Sequence, residues 1–192
     1  VTQFYQGVET VRSLTSLAIL TGTLGKPSAG VNPVRGQNNV QGSCDMGMWP
    51  SLLPGYQKVA NPEARAKFEK AWGLPEGTLP AKEGFKLTDL PHGVKEGRIK
   101  AFYNFGEDPL QTEPDSADMK ETLENLELLI SQDIFMTQTT ALADVVFPGT
   151  SWGEHDGVFS ASDRTFQRFT AAVPPKGECK HDWQIFSELS TR

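Results

Sequence analysis

The chain has 192 residues, of which 38% are hydrophobic and 22% charged, and its formal net charge is −6 at pH 7. This balance is typical of a soluble globular protein rather than a disordered one. The negative charge argues against a nucleic-acid backbone as a partner, because proteins that bind one carry basic patches. No apolar run approaches the roughly 18 residues that a membrane helix needs, so we expect no membrane insertion.

The two cysteines, Cys44 and Cys179, lie far apart and form no Cys-x-x-Cys pair. This spacing excludes a disulfide framework and disfavours an iron–sulfur or zinc site built from this chain alone. The chain begins at Val1 without an initiator methionine or a signal peptide, and it ends at Arg192 within a predicted helix. We therefore expect a segment of a longer polypeptide, with a cytoplasmic location because no signal is visible.

Residues 7–22 carry apolar side chains at helical spacing and predict a helix that ends near Gly22. The following residues, 30–47, are rich in glycine and amide side chains, and Arg35 is their only basic residue. Glycines permit close backbone approach and amides supply paired donors and acceptors, which favours a ligand-facing loop over a solvated one. The Arg35 guanidinium forms a fork that fits a carboxylate; the alternative is an ion pair with an acidic side chain of this chain.

Residues 49–97 carry no obvious chemistry. Pro62 starts a predicted surface helix over residues 62–72, and Gly73 ends it. A short helix over residues 87–96 is predicted to lead into the first strand of the core.

The chain is organised around three predicted strands, residues 99–105, 128–131 and 144–147. They are short, β-branched or aromatic, and bounded by turn residues, as in a buried parallel sheet. A helix that starts near Asp115 connects the first two and buries Met119, Leu123 and Leu126. This pattern predicts an α/β fold with a Rossmann-like, partly parallel sheet flanked by helices.

Polar residues follow each predicted strand. They are Gly106, Glu107, Asp108 and Thr112 after the first, Gln132 and Asp133 after the second, and residues 148–151, which end in Ser151, after the third. In open α/β sheets, ligands bind beyond the carboxyl ends of the strands. The acidic members suit hydroxyl and amino donors, such as a ribose or a purine edge, better than phosphate.

Three of these residues have specific expected roles. Asp108 precedes Pro109, so its backbone should be extended, with the carboxylate directed off the strand end. Thr112 could cap the next helix or contact a ligand. Asp133 occupies the place where dinucleotide folds carry an acidic residue that accepts from ribose hydroxyls, although the Gly-x-Gly-x-x-Gly turn is missing, so we do not expect a standard NAD domain.

The last part of the chain holds acidic, histidine and cysteine residues but no convincing metal motif. Glu154, His155 and Asp156 are adjacent, and in an extended segment their side chains cannot converge on one ion. Cys179 and His181 lack a second pair of ligands. Residues 182–190 predict an amphipathic helix.

Several motifs resemble the catalytic subunit of molybdopterin-dependent formate dehydrogenases, within the wider family of bis-molybdopterin-guanine-dinucleotide oxidoreductases. The motifs are Gly30-Val31-Asn32-Pro33-Val34-Arg35-Gly36-Gln37-Asn38-Asn39-Val40-Gln41-Gly42, Gly106-Glu107-Asp108-Pro109-Leu110, Gln132-Asp133-Ile134-Phe135, Ala143-Asp144-Val145-Val146-Phe147-Pro148 and Trp152-Gly153-Glu154-His155-Asp156-Gly157. The first is specific to formate dehydrogenases, and the others are shared across the wider family.

The resemblance implies a central portion of a larger multidomain enzyme that oxidises formate to CO₂. Its cofactor would be bis-molybdopterin guanine dinucleotide with molybdenum or tungsten, and this chain would bind one guanosine end. Arg35 falls on the arginine that orients formate, and Gln37 lies beside it against the pterin. The nucleotide-contacting positions are Gly106, Glu107, Asp108, Thr112, Gln132, Asp133 and Ser151, with Asp182 near the pterin.

The resemblance also places other parts of the enzyme outside this chain. A 4Fe-4S cluster, its cysteines and the metal-ligating cysteine or selenocysteine would lie upstream, so no metal ligand is expected here and the segment alone should be inactive. The expected partners are formate, an electron-acceptor protein or subunit and the remaining domains of the same polypeptide. We predict that residues 1–36 end a preceding α/β domain, residues 37–150 form the Rossmann-like domain and residues 151–192 return towards a neighbouring domain.

Two other functions remain open at the level of sequence. One is a binding module that holds a guanine nucleotide without redox chemistry, and the other is a structural subunit of an electron-transfer complex. Arg35 favours the enzyme, since a pure binding module has no need of that cation.

Overall fold

The computed structural model describes residues 2, 4–161, 163 and 165–191. These residues contain seven α-helices and seven β-strands. The helices are α1 (Gly7–Leu20), α2 (Val40–Asp45), α3 (Pro62–Trp72), α4 (Leu90–Lys95), α5 (Pro109–Thr112), α6 (Ser116–Glu124) and α7 (Asp182–Ser190). The strands are β1 (Leu52–Leu53), β2 (Gln57–Lys58), β3 (Ala101–Phe105), β4 (Leu128–Asp133), β5 (Val145–Pro148), β6 (Gly157–Ser160) and β7 (Phe166–Phe169). None of the described helices is long and apolar enough to cross a membrane.

Three strands form a parallel sheet in the order β3-β4-β5. This sheet confirms the predicted α/β class and all three predicted strands. β3 begins at Ala101 rather than at residue 99, because the backbone N–H groups of Arg98 and Ile99 both donate to the Gly93 carbonyl in α4. These two residues therefore continue the end of a helix instead of pairing with β4.

The second strand is longer than predicted. Gly106 donates its N–H to the Gln132 carbonyl at 2.9 Å, and Gly149 donates to the Asp133 carbonyl at 3.1 Å. Gln132 and Asp133 are thus the last two residues of β4, and their prediction as loop residues after the strand was wrong. The hydrogen bonds from the chains that follow β3 and β5 extend β4 beyond residues 128–131, the run from which the strand was predicted.

One face of the sheet packs against α4 and α6. The buried core there is formed by Leu90, Val94, Met119, Leu123 and Leu129. Met119 and Leu123 are 4% and 3% exposed, and Leu126 packs against this core. The buried face predicted for the helix between the first two strands of the sheet, α6, is therefore confirmed. α6 is capped by Asp115, whose carboxylate accepts from the Asp118 N–H at 3.0 Å, and Thr112 does not cap it.

The opposite face of the sheet packs against α7. The ring of Phe186 lies 5.5 Å from that of Tyr103, and Tyr103 stacks on Phe147 at 6.5 Å. Lys180 donates its backbone N–H to the Pro148 carbonyl at 3.1 Å, just before α7 begins. The end of the chain therefore covers the sheet, while the proposed domain limits at 36/37 and 150/151 stay a prediction.

The other predicted helices are also present. The helix predicted over residues 7–22 ends at Leu20, with Gly22 in the left-handed conformation (φ 62°). Residues 62–72 are helical and end at Gly73. The helix predicted over residues 87–96 is a 3₁₀ turn followed by α4, and the helix predicted over 182–190 matches α7.

The sequence did not predict the antiparallel hairpin of β6 and β7. Asn39, just before α2, binds this hairpin: its side chain donates to the Val158 carbonyl at 3.2 Å and accepts from the Ser160 N–H at 2.9 Å. Asn39 has a left-handed backbone (φ 59°), which asparagine tolerates better than most residues. The loop around Arg35 is therefore attached to a hairpin that lies about 120 residues later in the sequence.

We expect Leu129→Ala to lower the free energy of unfolding of the chain by about 2–5 kcal/mol, because it leaves a cavity in the core. Leu129 is 2% exposed. Leu128→Ala is the matched control, since Leu128 is the adjacent residue on the other face and is 37% exposed. Urea unfolding followed by circular dichroism checks both variants. Equal losses for the two would contradict this assignment of the core.

Candidate functional site

A cavity of about 450 Å³ lies at the carboxyl ends of β3, β4 and β5. We call it the strand-end cavity. It is lined by Phe105, Gly106, Glu107, Asp108, Gln132, Asp133, Ile134, Phe135, Thr137, Gly149, Thr150, Ser151, Trp152 and Asp182. Seven of the nine residues predicted to bind a cofactor are in this lining, and Thr112 and Gln37 are not.

Asp108 is held by a residue that the sequence did not single out. One oxygen of its carboxylate accepts from the Thr139 hydroxyl at 2.6 Å and from the Thr139 N–H at 3.1 Å. Thr139 is fully buried, and its hydroxyl also accepts from the Leu110 N–H at 3.2 Å. The carboxylate is therefore fixed at the cavity wall. The sequence offered only a Thr-Thr pair in a polar turn as a signal for this contact.

Thr112 supports the cavity wall from behind. Its hydroxyl lies 2.7 Å from a carboxylate oxygen of Glu107 and 3.2 Å from the Asp108 carbonyl. These contacts hold the turn after β3, in which Gly106 adopts a left-handed conformation (φ 60°). Gly106, Glu107 and Asp108 are thereby presented together at the end of β3.

Asp133 closes the turn that leaves β4. Its carboxylate accepts from the Phe135 N–H at 3.0 Å, two residues further along the chain. The turn exposes Ile134 and Phe135 at the cavity edge, where they are 50% and 71% exposed. An apolar rim thus adjoins the acidic lining.

Ser151 lies at the start of a 3₁₀ turn formed by Trp152–Glu154. Its backbone N–H donates to the Glu154 carboxylate at 2.9 Å, and this hydrogen bond is the main reason that the pKa of Glu154 is lowered. The extended conformation expected for residues 154–156 is therefore wrong for Glu154, which ends the 3₁₀ turn, whereas His155 is extended (φ −140°, ψ 161°). The described residues contain no group of three His, Cys, Asp or Glu side chains that could hold a metal ion.

Gln132 and Asp182 form the inner wall of the cavity. Gln132 is 1% exposed, and its side-chain amide donates to the Asp182 carboxylate at 2.6 Å. A Cβ atom at position 149 would lie 3.0 Å from the same carboxylate oxygen, so Gly149 permits the close approach of Asp182. The first residue of α7 is thereby joined to the end of β4.

The strand-end cavity is acidic. Four carboxylates line it, and within the described part of the chain no Lys, Arg or His side chain does. Carboxylates only accept hydrogen bonds, and like charges repel, so the lining disfavours a phosphate group. It suits a neutral ligand with several hydroxyl or amino donors.

Arg35 and Gln37 line a different cavity, of about 570 Å³, which we call the arginine cavity. It is bordered by residues 31–35, 37, 39–41, 160 and 161, and it shares no lining residue with the strand-end cavity. Arg35 donates to the Sγ atom of the buried Cys44 at 3.4 Å. The ion pairs found among the described residues do not include Arg35, so its guanidinium charge is not neutralised there.

A family model described as molybdopterin oxidoreductase matches residues 1–192. The chain is 62% identical over its whole length to formate dehydrogenase H of Escherichia coli (strain K12) and 44% identical to the alpha subunit of F420-dependent formate dehydrogenase 1 of Methanococcus maripaludis. It spans only 27% and 28% of these two relatives, in agreement with the expectation of a part of a longer polypeptide.

The solved structure of acetylene hydratase from Pelobacter acetylenicus resembles the fold, with a TM-score of 0.52 and 23% sequence identity. The likeness covers 69% of this chain and 19% of that one. The match of the family model over the whole chain shows that the chain belongs to the molybdopterin oxidoreductase family.

Proposed function

We propose that this chain is the part of a formate-oxidising molybdenum or tungsten enzyme that binds one guanosine end of a molybdopterin guanine dinucleotide and supplies an arginine that orients formate. The acidic lining of the strand-end cavity is the observation that carries the proposal. The relatives named formate dehydrogenase support the substrate.

The residues of the strand-end cavity fit a nucleoside. Its volume of about 450 Å³ lies within the usual range for small-molecule sites. A guanosine offers ribose hydroxyls and the N–H groups of the purine edge, which match the acceptors Glu107, Asp108, Asp133 and Asp182. The Ser151 hydroxyl adds a polar contact, and the buried Gln132 amide supports the Asp182 carboxylate from behind. The phosphates would lie outside this lining, because no described cation faces them.

The Arg35 guanidinium is complementary to formate in charge and in shape. Formate is a small carboxylate, and a guanidinium can hold both of its oxygens with two parallel hydrogen bonds. The contact with Cys44 engages only one nitrogen of Arg35, which leaves other N–H donors for a ligand. A fixed cation at the arginine cavity would bind formate, orient its C–H bond and stabilise the charge that shifts during oxidation.

When bound, the cofactor would supply the redox chemistry, which is the two-electron oxidation of formate to CO₂ and a proton. This chain contributes placement: the strand-end cavity holds the nucleoside and Arg35 holds the substrate. The 4Fe-4S cluster and the electron-acceptor partner belong to the proposal for the whole enzyme. Their ligands and contact surfaces would come from the remainder of the polypeptide.

We expect Arg35→Ala in the full-length enzyme to lower kcat/KM for formate by about 100-fold or more, because a substrate-orienting charge is lost. The kcat/KM of Arg35→Lys should lie between those of the wild type and Arg35→Ala, because lysine keeps the charge but cannot form two parallel hydrogen bonds. Arg168→Ala is the matched control, since Arg168 lies on β7 with 76% of its side chain exposed. Formate turnover and metal content are measured together, and unchanged turnover at full metal loading would contradict the role.

The Arg35 experiment also separates the enzyme from the alternative of a non-redox guanine-nucleotide-binding module. A full-length protein that binds a guanine nucleotide but has no formate-dependent electron transfer, with or without Arg35, would favour that module. Loss of turnover specific to Arg35 would favour the enzyme.

We expect Asp133→Asn in the full-length enzyme to weaken cofactor retention by about tenfold or more, because a hydrogen bond to a charged acceptor is lost. Asparagine keeps the oxygen that accepts from the Phe135 N–H, so the turn is preserved. The molybdenum or tungsten content and the guanine nucleotide content after purification are the measurements.

The chain offers a matched control for this substitution. Asp163 also accepts from a backbone N–H two residues further on, that of Thr165 at 2.9 Å, and it lies away from the strand-end cavity. Asp163→Asn should keep wild-type cofactor content. Equal retention in both variants would argue against a nucleotide contact at Asp133.

A further inference from the structure

A line of hydrogen bonds connects β3, β4 and α7 at the inner wall of the strand-end cavity. The Tyr103 hydroxyl lies 2.5 Å from the side-chain oxygen of Gln132, and the Gln132 side-chain nitrogen lies 2.6 Å from the Asp182 carboxylate. Tyr103 and Gln132 point to the same face of the sheet, because Tyr103 pairs with Ile130, two residues before Gln132. Tyr103 itself does not line the cavity.

The direction of these hydrogen bonds follows from the chemistry of the three groups. A carboxylate can only accept, so the Gln132 amide must turn its NH₂ group towards Asp182. Its carbonyl oxygen then faces Tyr103, and the tyrosine hydroxyl must donate. A Gln132 amide turned by 180° would place two acceptors against each other at the Asp182 end.

Burial makes the Tyr103 hydroxyl important for this arrangement. Gln132 is 1% exposed, so water cannot replace a lost partner easily, and an unsatisfied buried acceptor is costly. The ring of Tyr103 is held by Phe147 and Phe186, which fixes the position of its oxygen. Burial and, secondarily, the charge of Asp182 raise the pKa of Tyr103, so the hydroxyl keeps its proton as a donor at neutral pH.

We propose that Tyr103 is a positioning residue for the strand-end cavity. Its hydroxyl fixes the orientation of the Gln132 amide, which in turn holds the Asp182 carboxylate as an acceptor for the ligand. This inference rests on the proposed function, in which the cavity takes a guanosine. It adds a residue outside the cavity that determines the affinity inside it.

The test uses the full-length protein prepared without cofactor, with GMP as the probe and calorimetric titration to millimolar concentrations. Tyr103→Phe removes one oxygen and keeps the ring. We expect it to weaken GMP binding by about three- to tenfold, the usual effect of one net hydrogen bond. In a Gln132→Met background the same substitution should change affinity by less than about twofold, since the amide that it orients is gone.

Tyr56→Phe is the matched control. Its hydroxyl also contacts a glutamine amide, that of Gln41 at 3.1 Å, but it lies outside the strand-end cavity. We expect GMP affinity in this variant to equal that of the wild type. The thermal midpoint of each variant is measured in parallel to show that the proteins are folded.

The outcomes separate the inference from the proposed function. Wild-type protein that does not bind GMP overturns both. Wild-type binding that is matched by Tyr103→Phe overturns the inference alone. An equal loss for Tyr103→Phe with Gln132 and with Met at position 132 would also overturn it, because the tyrosine would then act through packing and not through the amide.

Discussion

The parallel pairing of β4 with β3 and β5 sets the geometry on which the strand-end cavity depends. Gln132 pairs with Phe105 on one side and Phe147 on the other, so three carboxyl ends meet at one edge of the sheet. Successive side chains of a strand point to opposite faces. Gln132 therefore reaches α7, while Asp133 lies on the other side of the same edge, and the ligand would be held by groups from both faces.

The two cavities divide the expected ligands by charge. The strand-end cavity carries four carboxylates and would repel an anion such as formate, whereas the arginine cavity carries a cation that no described carboxylate neutralises. A nucleoside with neutral donors and a small carboxylate substrate need opposite linings. In the proposed function, keeping these linings apart would let one chain bind both without placing the Arg35 guanidinium next to carboxylates that would compete with the substrate.

The sequence predicted the strands of the sheet, but it did not predict the side-chain hydrogen bonds that join them to each other and to the turns. The apolar runs identified three strands, and the polar residues after them identified six of the predicted site residues that line the cavity, while the seventh, Asp182, came only from the family resemblance. The sequence could not show that the Tyr103 hydroxyl contacts the Gln132 side chain, because that contact depends on the register between two strands. Thr139 was missed for the same reason, as its bond to Asp108 spans 31 residues. Local patterns predict elements, while the partners of buried polar groups follow from tertiary packing.

The attachment of Asn39 to the β6–β7 hairpin affects the order in which segments of the protein unfold. The loop that carries Arg35 is held by two hydrogen bonds to a hairpin that is only partly buried, whereas the sheet is held by a buried apolar core. Segments with few buried contacts open at lower free energy than the core around them. Under mild heat or denaturant the arginine would lose its place before the sheet melts, so substrate binding would be lost while the nucleoside remained held.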